Sequence, residues 1–394
     1  MRSLVSHFAE LEVVVEFGFT PEEETVRAWV RERLADEGVR RELAALRANP
    51  AREPDARPLY RELGRMGLLA VGWPETYGGG GRGPIEAAIA VEELVRAGIP
   101  DTLHVNTVQI VGLFLLLAGS DEQKHAHLPA IARGERFASV LYTEPGAGSD
   151  LGSLQTTATR AGDGWLLDGV KVFSLKSDIT DLGLCAARTG EGRYEGISLF
   201  LVDLHADGVH RSPIPSIADE GFHRIELRGV RVGPEDLLGT EGGGWPLLSQ
   251  ALAMERTGLD YTLKAERWLD AIRDGLAEPD DAALVSVGRY AARLEASRLL
   301  SWRVLGQAEE VDEVAAAVAK LYSSALAQEI ADWAVEVHGF GYARAWLPPD
   351  RIDVLEAAYR EAPGLTLSAG TSEMMMQIIN SVGLDTYEQV GGAR

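Results

Sequence analysis

Glu255 is a carboxylate whose position in the sequence could give it a chemical role. It recurs with three leucines at intervals of three and four residues, the spacing that places side chains on one face of a helix: Leu248, Leu252 and Leu259. A carboxylate on such an apolar face loses hydration, which raises its pKa and makes it a stronger base toward a weakly acidic C–H bond. The alternative is that Glu255 forms a structural ion pair with an arginine. Arg256 follows it directly.

A second chemical feature is the segment Thr-Glu-Pro-Gly-Ala-Gly-Ser-Asp at 143–150. It combines hydroxyl groups, a proline-stiffened turn and backbone N–H groups that no bulky side chain covers. Its Gly-Ala-Gly is not a dinucleotide-binding fingerprint, because no helix-forming segment follows it. A binding loop and a plain turn, in which Ser149 merely caps the backbone, are both open alternatives.

The elements that must position these residues fall into three parts. Helical periodicity covers the chain to about residue 135, starting at the N-cap Thr20, with the glycine-rich stretch 72–81 as an irregular loop. The predicted helices are 20–35, 56–67, 83–97, 102–118 and 121–133. Short runs of β-type residues bounded by turns follow at 137–142, 164–169 and 197–202. Helical periodicity returns at 246–274, 281–307, 311–337 and 371–382.

This order predicts an α+β chain that is mostly α. We expect an N-terminal helical domain at 1–136, a central antiparallel β-barrel or sandwich at 137–241, and a C-terminal four-helix bundle at 242–394.

Composition narrows the possible partners of this 394-residue chain. Its net charge of -22 argues against nucleic acid or an anionic membrane as the main partner, because phosphates would be repelled. The single cysteine, Cys185, excludes an intramolecular disulfide and a cysteine-based metal site. We expect no metal site. The N-terminus lacks the features of a signal peptide, and no apolar run has the length of a membrane span, so a cytoplasmic protein is expected.

The ordered set of motifs resembles the acyl-CoA dehydrogenase family from about residue 20 to 385. The segments that carry the resemblance are 119–124, 128–131, 143–150, 168–173, 187–189, 230–232, 237–239, 242–245, 338–342 and 370–373. The resemblance implies FAD, since no amino acid accepts a hydride. It also implies an acyl thioester substrate, carried on CoA or on an acyl carrier protein. Electrons would then pass to an electron-transfer flavoprotein or a similar acceptor.

The resemblance also assigns roles to residues of the central domain. Positions corresponding to Tyr142, Thr143 and Ser149 contact the flavin or the pantetheine-like arm of the substrate. Phe173 stands where family members place an aromatic ring against the flavin. Leu175 departs from the pattern, because many members carry a hydroxyl there that bonds the flavin edge. A backbone N–H could substitute.

The position of the base differs between branches of the family. In the best-known branch a glutamate directly precedes the C-terminal Gly-Thr, where this chain has Ala369, whose backbone N–H can still donate to the thioester oxygen. Another branch carries the glutamate on the long helix after the β-domain, followed by arginine. The resemblance therefore identifies Glu255 as the base and gives Arg256 a structural or substrate-positioning role.

The C-terminal motifs bear on cofactor binding and assembly. Family members are usually tetramers in which a neighbouring subunit helps to hold the ADP half of FAD, through a loop that corresponds to Gly339 and Gly341. Thr371 and Glu373 stand where residues meet the cofactor. A homotetramer or dimer is expected, with a heteromer possible. Two other functions stay open: a flavin-dependent monooxygenase or oxidase on the same fold, and a non-catalytic subunit of a hetero-oligomer.

Overall fold

Helices form the N-terminal part of the chain, as predicted. The computed structural model describes residues 18–48, 55–276, 279–306, 312–339 and 349–391. The first helix begins at a capping box, in which the Thr20 hydroxyl accepts from the Glu23 N–H at 3.2 Å and the Glu23 carboxylate accepts from the Thr20 N–H at 2.7 Å. The helices are α1 (Pro21–Leu34), α2 (Glu37–Ala48), α3 (Arg57–Arg65), α4 (Pro84–Arg96), α5 (Thr102–His104), α6 (Leu113–Ala118) and α7 (Asp121–Ala132).

Two details of this part differ from the prediction. Helix α2 was not predicted. The helix expected at 102–118 is present, but its middle, Val105–Gly112, winds with wider π-helical turns between α5 and α6.

The central part is one eight-stranded sheet in the order β6-β7-β3-β2-β4-β5-β8, with β1 paired to β4. Its strands are β1 (Ala138–Leu141), β2 (Thr157–Ala161), β3 (Gly164–Leu175), β4 (Leu182–Arg188), β5 (Ile197–Asp203), β6 (Val209–Ile214), β7 (Phe222–Val232) and β8 (Leu237–Leu238). The prediction of an antiparallel barrel or sandwich needs correction, because the sheet is not closed and β1 runs parallel to β4. Its edges are β6 and the two-residue β8, which is too short to provide a closing ladder.

The described residues after the sheet form six helices. They are α8 (Gly244–Glu255), α9 (Leu259–Asp274), α10 (Asp281–Leu305), α11 (Glu313–His338), α12 (Pro349–Leu365) and α13 (Ser372–Gly391). Helices α9 to α12 pack around one buried cluster that includes Ile272, Leu294, Ile330 and Leu355. A mostly helical chain with a sheet between two helical parts is thereby confirmed. Within the described ranges, none of the helices combines the length and apolar composition needed to cross a bilayer.

The helix predicted at 246–274 is two helices, because the chain turns at Gly258. This glycine has φ 74, in the left-handed region. A Cβ at this position would lie 2.6 Å from the Ser323 hydroxyl oxygen and 2.8 Å from the Ala319 carbonyl oxygen. The close approach of α11 therefore fixes the turn between α8 and α9. Helix α12 was not predicted.

A buried carboxylate joins the N-terminal helices to the bundle. The side chain of Glu92 on α4 is fully buried and pairs with Arg27 of α1 at 2.8 Å, Arg96 at 3.1 Å and Arg298 of α10 at 2.7 Å. Burial alone would raise the pKa of Glu92, but the hydrogen bond from Arg298 and the nearby guanidinium charges hold this pKa below its usual value. Its stabilising contribution is therefore present above the ordinary carboxyl pKa and is lost as the pH falls through the lowered value.

The substitution Glu92→Gln leaves three arginines around a neutral group, and we expect it to lower the free energy of unfolding by about 3–5 kcal/mol. The measurement is urea denaturation at neutral pH. Glu24→Gln is the control, because Glu24 is exposed and lies 3.7 Å from Arg27; we expect an effect below about 1 kcal/mol. Equal effects of the two substitutions would contradict the role of Glu92.

Candidate active site

Glu144 holds the loop that contains residues 143–150 against the sheet. The loop closes on itself through paired backbone hydrogen bonds between Glu144 and Ala147, at 3.0 and 3.1 Å. The buried Glu144 carboxylate accepts from the backbone N–H groups of Gln155 at 2.5 Å and Thr156 at 2.9 Å. It also accepts from the ammonium of Lys171 on β3 at 2.8 Å. One side chain therefore ties together both ends of the segment 144–156 and strand β3.

The ammonium of Lys171 is fully buried and also donates to the Tyr142 carbonyl oxygen at 3.1 Å. Burial alone would raise the pKa of Glu144, but the charge and hydrogen bond of Lys171 lower it. Both residues belong to motifs that carry the family resemblance, but sequence patterns predict a role for neither. The available signal was a lysine between Val170 and Val172 in a strand of β-type residues.

Strand β1 and the end of β3 bring the predicted cofactor residues of the central domain together. The Val172 N–H donates to the Thr143 carbonyl oxygen at 2.9 Å, and the Ser174 hydroxyl donates to the Val140 carbonyl oxygen at 2.9 Å. Tyr142 and Thr143 therefore lie beside the segment that carries Phe173 and Leu175.

Phe173, Leu175 and Tyr142 differ in their exposure and in their contacts. Phe173 has φ 57, is 58% exposed and meets the Phe222 ring edge-on at 6.0 Å between centroids. Its exposed ring and left-handed backbone are both unusual for phenylalanine. Leu175 is half-buried, and its carbonyl oxygen accepts from the Ser139 hydroxyl at 2.8 Å. Tyr142 is buried and packs against Phe114, with ring centroids 6.3 Å apart.

A cleft of about 550 Å³ opens beside the loop. Its walls come from the loop and from β3, and the lining includes Pro145, Gly146, Gln155, Gly169 and Val170. The space where a Gly146 side chain would stand is open. Ser149 is exposed on the same loop.

Two cations hold the Ala369–Gly370 turn, which precedes α13. The Arg256 Nε donates to the Ala369 carbonyl oxygen at 3.2 Å, and the Lys320 ammonium of α11 donates to the Gly370 carbonyl oxygen at 2.6 Å. Ala369 has φ 52 and Gly370 has φ 96, so two consecutive residues are left-handed. The structure thus brings the predicted residues Arg256 and Ala369 together.

Thr371 and Glu373 lie at the start of α13. The Thr371 hydroxyl accepts from the Met374 N–H at 3.3 Å, which caps the helix. Glu373 is exposed in the first turn, where its own backbone N–H and the Thr371 hydroxyl lower its pKa. Gly339 ends α11 with φ 52. Gly341 lies outside the described residues.

Glu255 is the last residue of α8, and its side chain lies outside the described part of the chain. The expected single apolar face is wrong in one respect. Leu248 is buried on α8, but Leu259 belongs to α9, across the Gly258 turn. Helical spacing therefore cannot place Leu259 beside Glu255. The position of Glu255 is instead related to Ala369 through the next residue. Arg256 follows Glu255 and donates to the Ala369 carbonyl oxygen, so the end of α8 adjoins the Ala369 turn.

The loop at residues 215–221 ties the sheet to helix α12, which precedes the C-terminal turn. The Lys176 N–H, directly after β3, donates to the Gly221 carbonyl oxygen at 3.2 Å. Arg360 on α12 donates to the Asp219 carboxylate at 2.8 Å and to the Ile217 carbonyl oxygen at 3.1 Å. The loop thus connects the Phe173 end of β3 to the helix that leads to Ala369.

Comparison with known proteins agrees with this architecture. The chain matches three domains in order: acyl-CoA dehydrogenase N-terminal domain over residues 20–135, middle domain over 139–230 and C-terminal domain over 242–384. It is 33% identical to acyl-CoA dehydrogenase FadE29 of Mycobacterium tuberculosis, over 93% of this chain and 97% of that protein. It is 27% identical to the caffeyl-CoA reductase-Etf complex subunit CarC of Acetobacterium woodii, over 82% of this chain and 88% of that protein.

Among solved structures, a chain of the ChsE4-ChsE5 complex from Mycobacterium tuberculosis superimposes with a TM-score of 0.81. It is 29% identical in sequence, and the match covers 94% of this chain and 99% of that one. The fold and these matches define a class, the FAD-dependent oxidoreductases that act on CH–CH bonds. Within that class, the chain belongs to the acyl-CoA dehydrogenase family.

The central domain fits a flavin at the end of β3. The exposed Phe173 ring offers an apolar face to a planar ring system, and the loop that is hydrogen-bonded to β3 through Thr143 leaves open space at Gly146. Leu175 supplies no side-chain donor, so any hydrogen bond from its position must come from the backbone.

Glu144→Gln tests the buried ion pair. We expect it to lower the free energy of unfolding by about 3–5 kcal/mol and to weaken FAD binding, because it leaves the Lys171 ammonium buried without a charged partner. Urea denaturation and flavin titration of the apoprotein provide the two measurements. Asp150→Asn is the matched control, since Asp150 lies on the same loop but is exposed and pairs with exposed Arg193. The role of the Glu144–Lys171 pair is disproved if both variants behave alike.

Proposed function

We propose that this protein catalyses FAD-dependent α,β-dehydrogenation of an acyl thioester, with Glu255 as the base that removes the α-proton. The observation that carries the proposal is the 3.2 Å hydrogen bond from Arg256 to the Ala369 carbonyl. It joins the position of the base to the position of the oxyanion donor, although 113 residues separate Arg256 from Ala369. Family membership supports the reaction class.

The reaction needs a base for the α-proton, an acceptor for the β-hydride and donors for the oxygen that becomes enolate-like. Bound FAD supplies the acceptor. Glu255 takes the α-proton onto its carboxylate. The half-buried Ala369 backbone N–H has no acceptor among the described residues and donates to the thioester oxygen. Arg256 orients the turn that carries this donor.

The cofactor contacts that we propose lie on both sides of this site. Thr143 and Ser149 of the loop, together with Tyr142, contact the flavin or the pantetheine-like arm of the substrate. The Phe173 ring packs against the flavin, and the Leu175 backbone meets its edge. The C-terminal residues that complete cofactor binding are Gly339, Gly341, Thr371 and Glu373.

Two relatives support the choice of partners. CarC is a subunit of a complex with Etf, which favours an electron-transfer flavoprotein as the acceptor. The ChsE4-ChsE5 structure is a complex of two differently named chains, which favours an oligomer. A heteromer is therefore an alternative to the homotetramer or dimer. The thioester carrier is CoA, as in the names of the relatives, with an acyl carrier protein as the alternative.

A second candidate function is a flavin-dependent monooxygenase or oxidase. Leu175 favours it, because a side chain without a donor changes the hydrogen bonding at the flavin edge. This candidate predicts oxygen consumption that depends on an added flavin reductase. A non-catalytic subunit, in contrast, would be colourless until mixed with a partner chain.

Glu255→Gln should slow α-hydrogen exchange by about 10²–10⁴-fold, because general-base catalysis contributes that much. The measurement is NMR of acetyl-CoA in D₂O with the holoprotein. Acetyl-CoA has no β-carbon, so exchange reports proton abstraction without dehydrogenation. The variant should fold and retain its yellow flavin.

Asp260→Asn is the matched control. Asp260 lies on α9 five positions beyond Glu255, and burial raises its pKa to about 6, so it is a rival base by its chemistry. We expect its exchange rate to stay within about tenfold of wild type, a change too small for the general base. A larger loss in Asp260→Asn than in Glu255→Gln would transfer the role of base to Asp260.

A further inference from the structure

Lys320 stands out among the charged residues that the reaction scheme leaves without a role. It lies in the N-terminal half of α11 and its side chain is fully buried. Small buried residues one turn away on either side, Ala316 and Ser324, leave room for its long side chain. Its ammonium donates to the Gly370 carbonyl oxygen at 2.6 Å and lies 5.9 Å from the centre of the Tyr261 ring.

The turn that Lys320 contacts has an unfavourable backbone conformation. Ala369 is left-handed, with φ 52, and for a residue with a Cβ this costs about 1–2 kcal/mol. Charge-assisted hydrogen bonds from Lys320 and Arg256 to two successive carbonyls offset this cost. The Ala369 N–H lies in the peptide plane before these two carbonyls, and the left-handed φ of 52 at Ala369 relates that plane to theirs. By holding the carbonyls of residues 369 and 370, the two cations stabilise this φ and with it the direction of the Ala369 N–H.

We propose that Lys320 is a positioning residue, which holds the Ala369–Gly370 turn so that the Ala369 N–H points at the thioester oxygen. This inference rests on the proposed function. Lys320 does not touch the substrate in this scheme. It acts through the Gly370 carbonyl, as Arg256 acts through the Ala369 carbonyl.

Protonation of Lys320 gives the proposal a pH signature. Burial, reinforced by the charge of Arg256, lowers the pKa of Lys320 to about 8, while the facing carboxylates Asp260 and Glu373 oppose the shift. Above this pH the neutral amine is a weaker donor, so the hold on the turn weakens. Arginine stays charged throughout this range.

The first test is Lys320→Met, which keeps the length of the side chain but removes its donor. In the holoenzyme, flavin reduction by a saturated acyl-CoA should slow by about 10²-fold with KM changed much less, because a displaced donor affects mainly the transition state. The carbonyl stretch of bound ¹³C-labelled acetyl-CoA, measured by infrared spectroscopy, should move toward its value in water. This second measurement is independent of turnover.

Lys264→Met is the control. Lys264 is another largely buried lysine of the bundle, paired with Asp101 at 3.3 Å and Glu361 at 2.6 Å. Its loss should destabilise the fold without moving the carbonyl frequency. If Lys320→Met changes rate and frequency no more than Lys264→Met does, the positioning role is overturned.

Lys320→Arg provides a separate test that does not depend on the folding of Lys320→Met. The wild-type reduction rate should fall as the pH rises through about 8. In Lys320→Arg this fall should disappear, and an unchanged fall would overturn the inference. Failure of the proposed function looks different: the wild-type holoenzyme would show neither flavin reduction by any acyl thioester nor a shifted carbonyl band.

Discussion

The part of the candidate site that lies in the central domain depends on the interactions of the Glu144 carboxylate. The loop that follows β1 has little regular structure, so its backbone N–H groups need acceptors, and Glu144 satisfies those of Gln155 and Thr156. Lys171 compensates the buried charge and joins the loop to β3. This pair reinforces the hydrogen bond from the Val172 N–H to the Thr143 carbonyl oxygen, which holds Thr143 beside the strand that carries Phe173.

The same device recurs at the Ala369–Gly370 turn. Lys171 and Lys320 are both fully buried, and each donates to a backbone carbonyl oxygen, at 3.1 and 2.6 Å. The difference lies in their neighbours. A carboxylate lies beside Lys171, whereas burial, reinforced by the charge of Arg256, lowers the pKa of Lys320. The first pair suits a fixed support for the loop, and the second makes the C-terminal turn sensitive to protonation.

Sequence patterns predicted the three-part order and most helices, because periodicity and turn residues are local signals. They failed where contacts between residues far apart in the sequence determine the structure. The close approach of α11 forces the break at Gly258, which periodicity across 246–274 conceals. An open sheet and a barrel have the same local strand pattern, since closure depends on pairing between the edges. Motifs drew attention to Thr143 and Ala369, but Lys320 sits on a helix where a lone lysine ordinarily indicates a solvent-exposed face.

The central claim is that proton and hydride leave adjacent carbons of one acyl thioester. The most direct test is anaerobic mixing of the yellow holoprotein with a saturated acyl-CoA carrying deuterium at the α- or the β-carbon. The account predicts that the flavin bleaches without oxygen, and that each label slows bleaching, because both C–H bonds break before the flavin is reduced. A flavin that stays oxidised with every acyl-CoA, but turns over with oxygen and an added reductase, would contradict it.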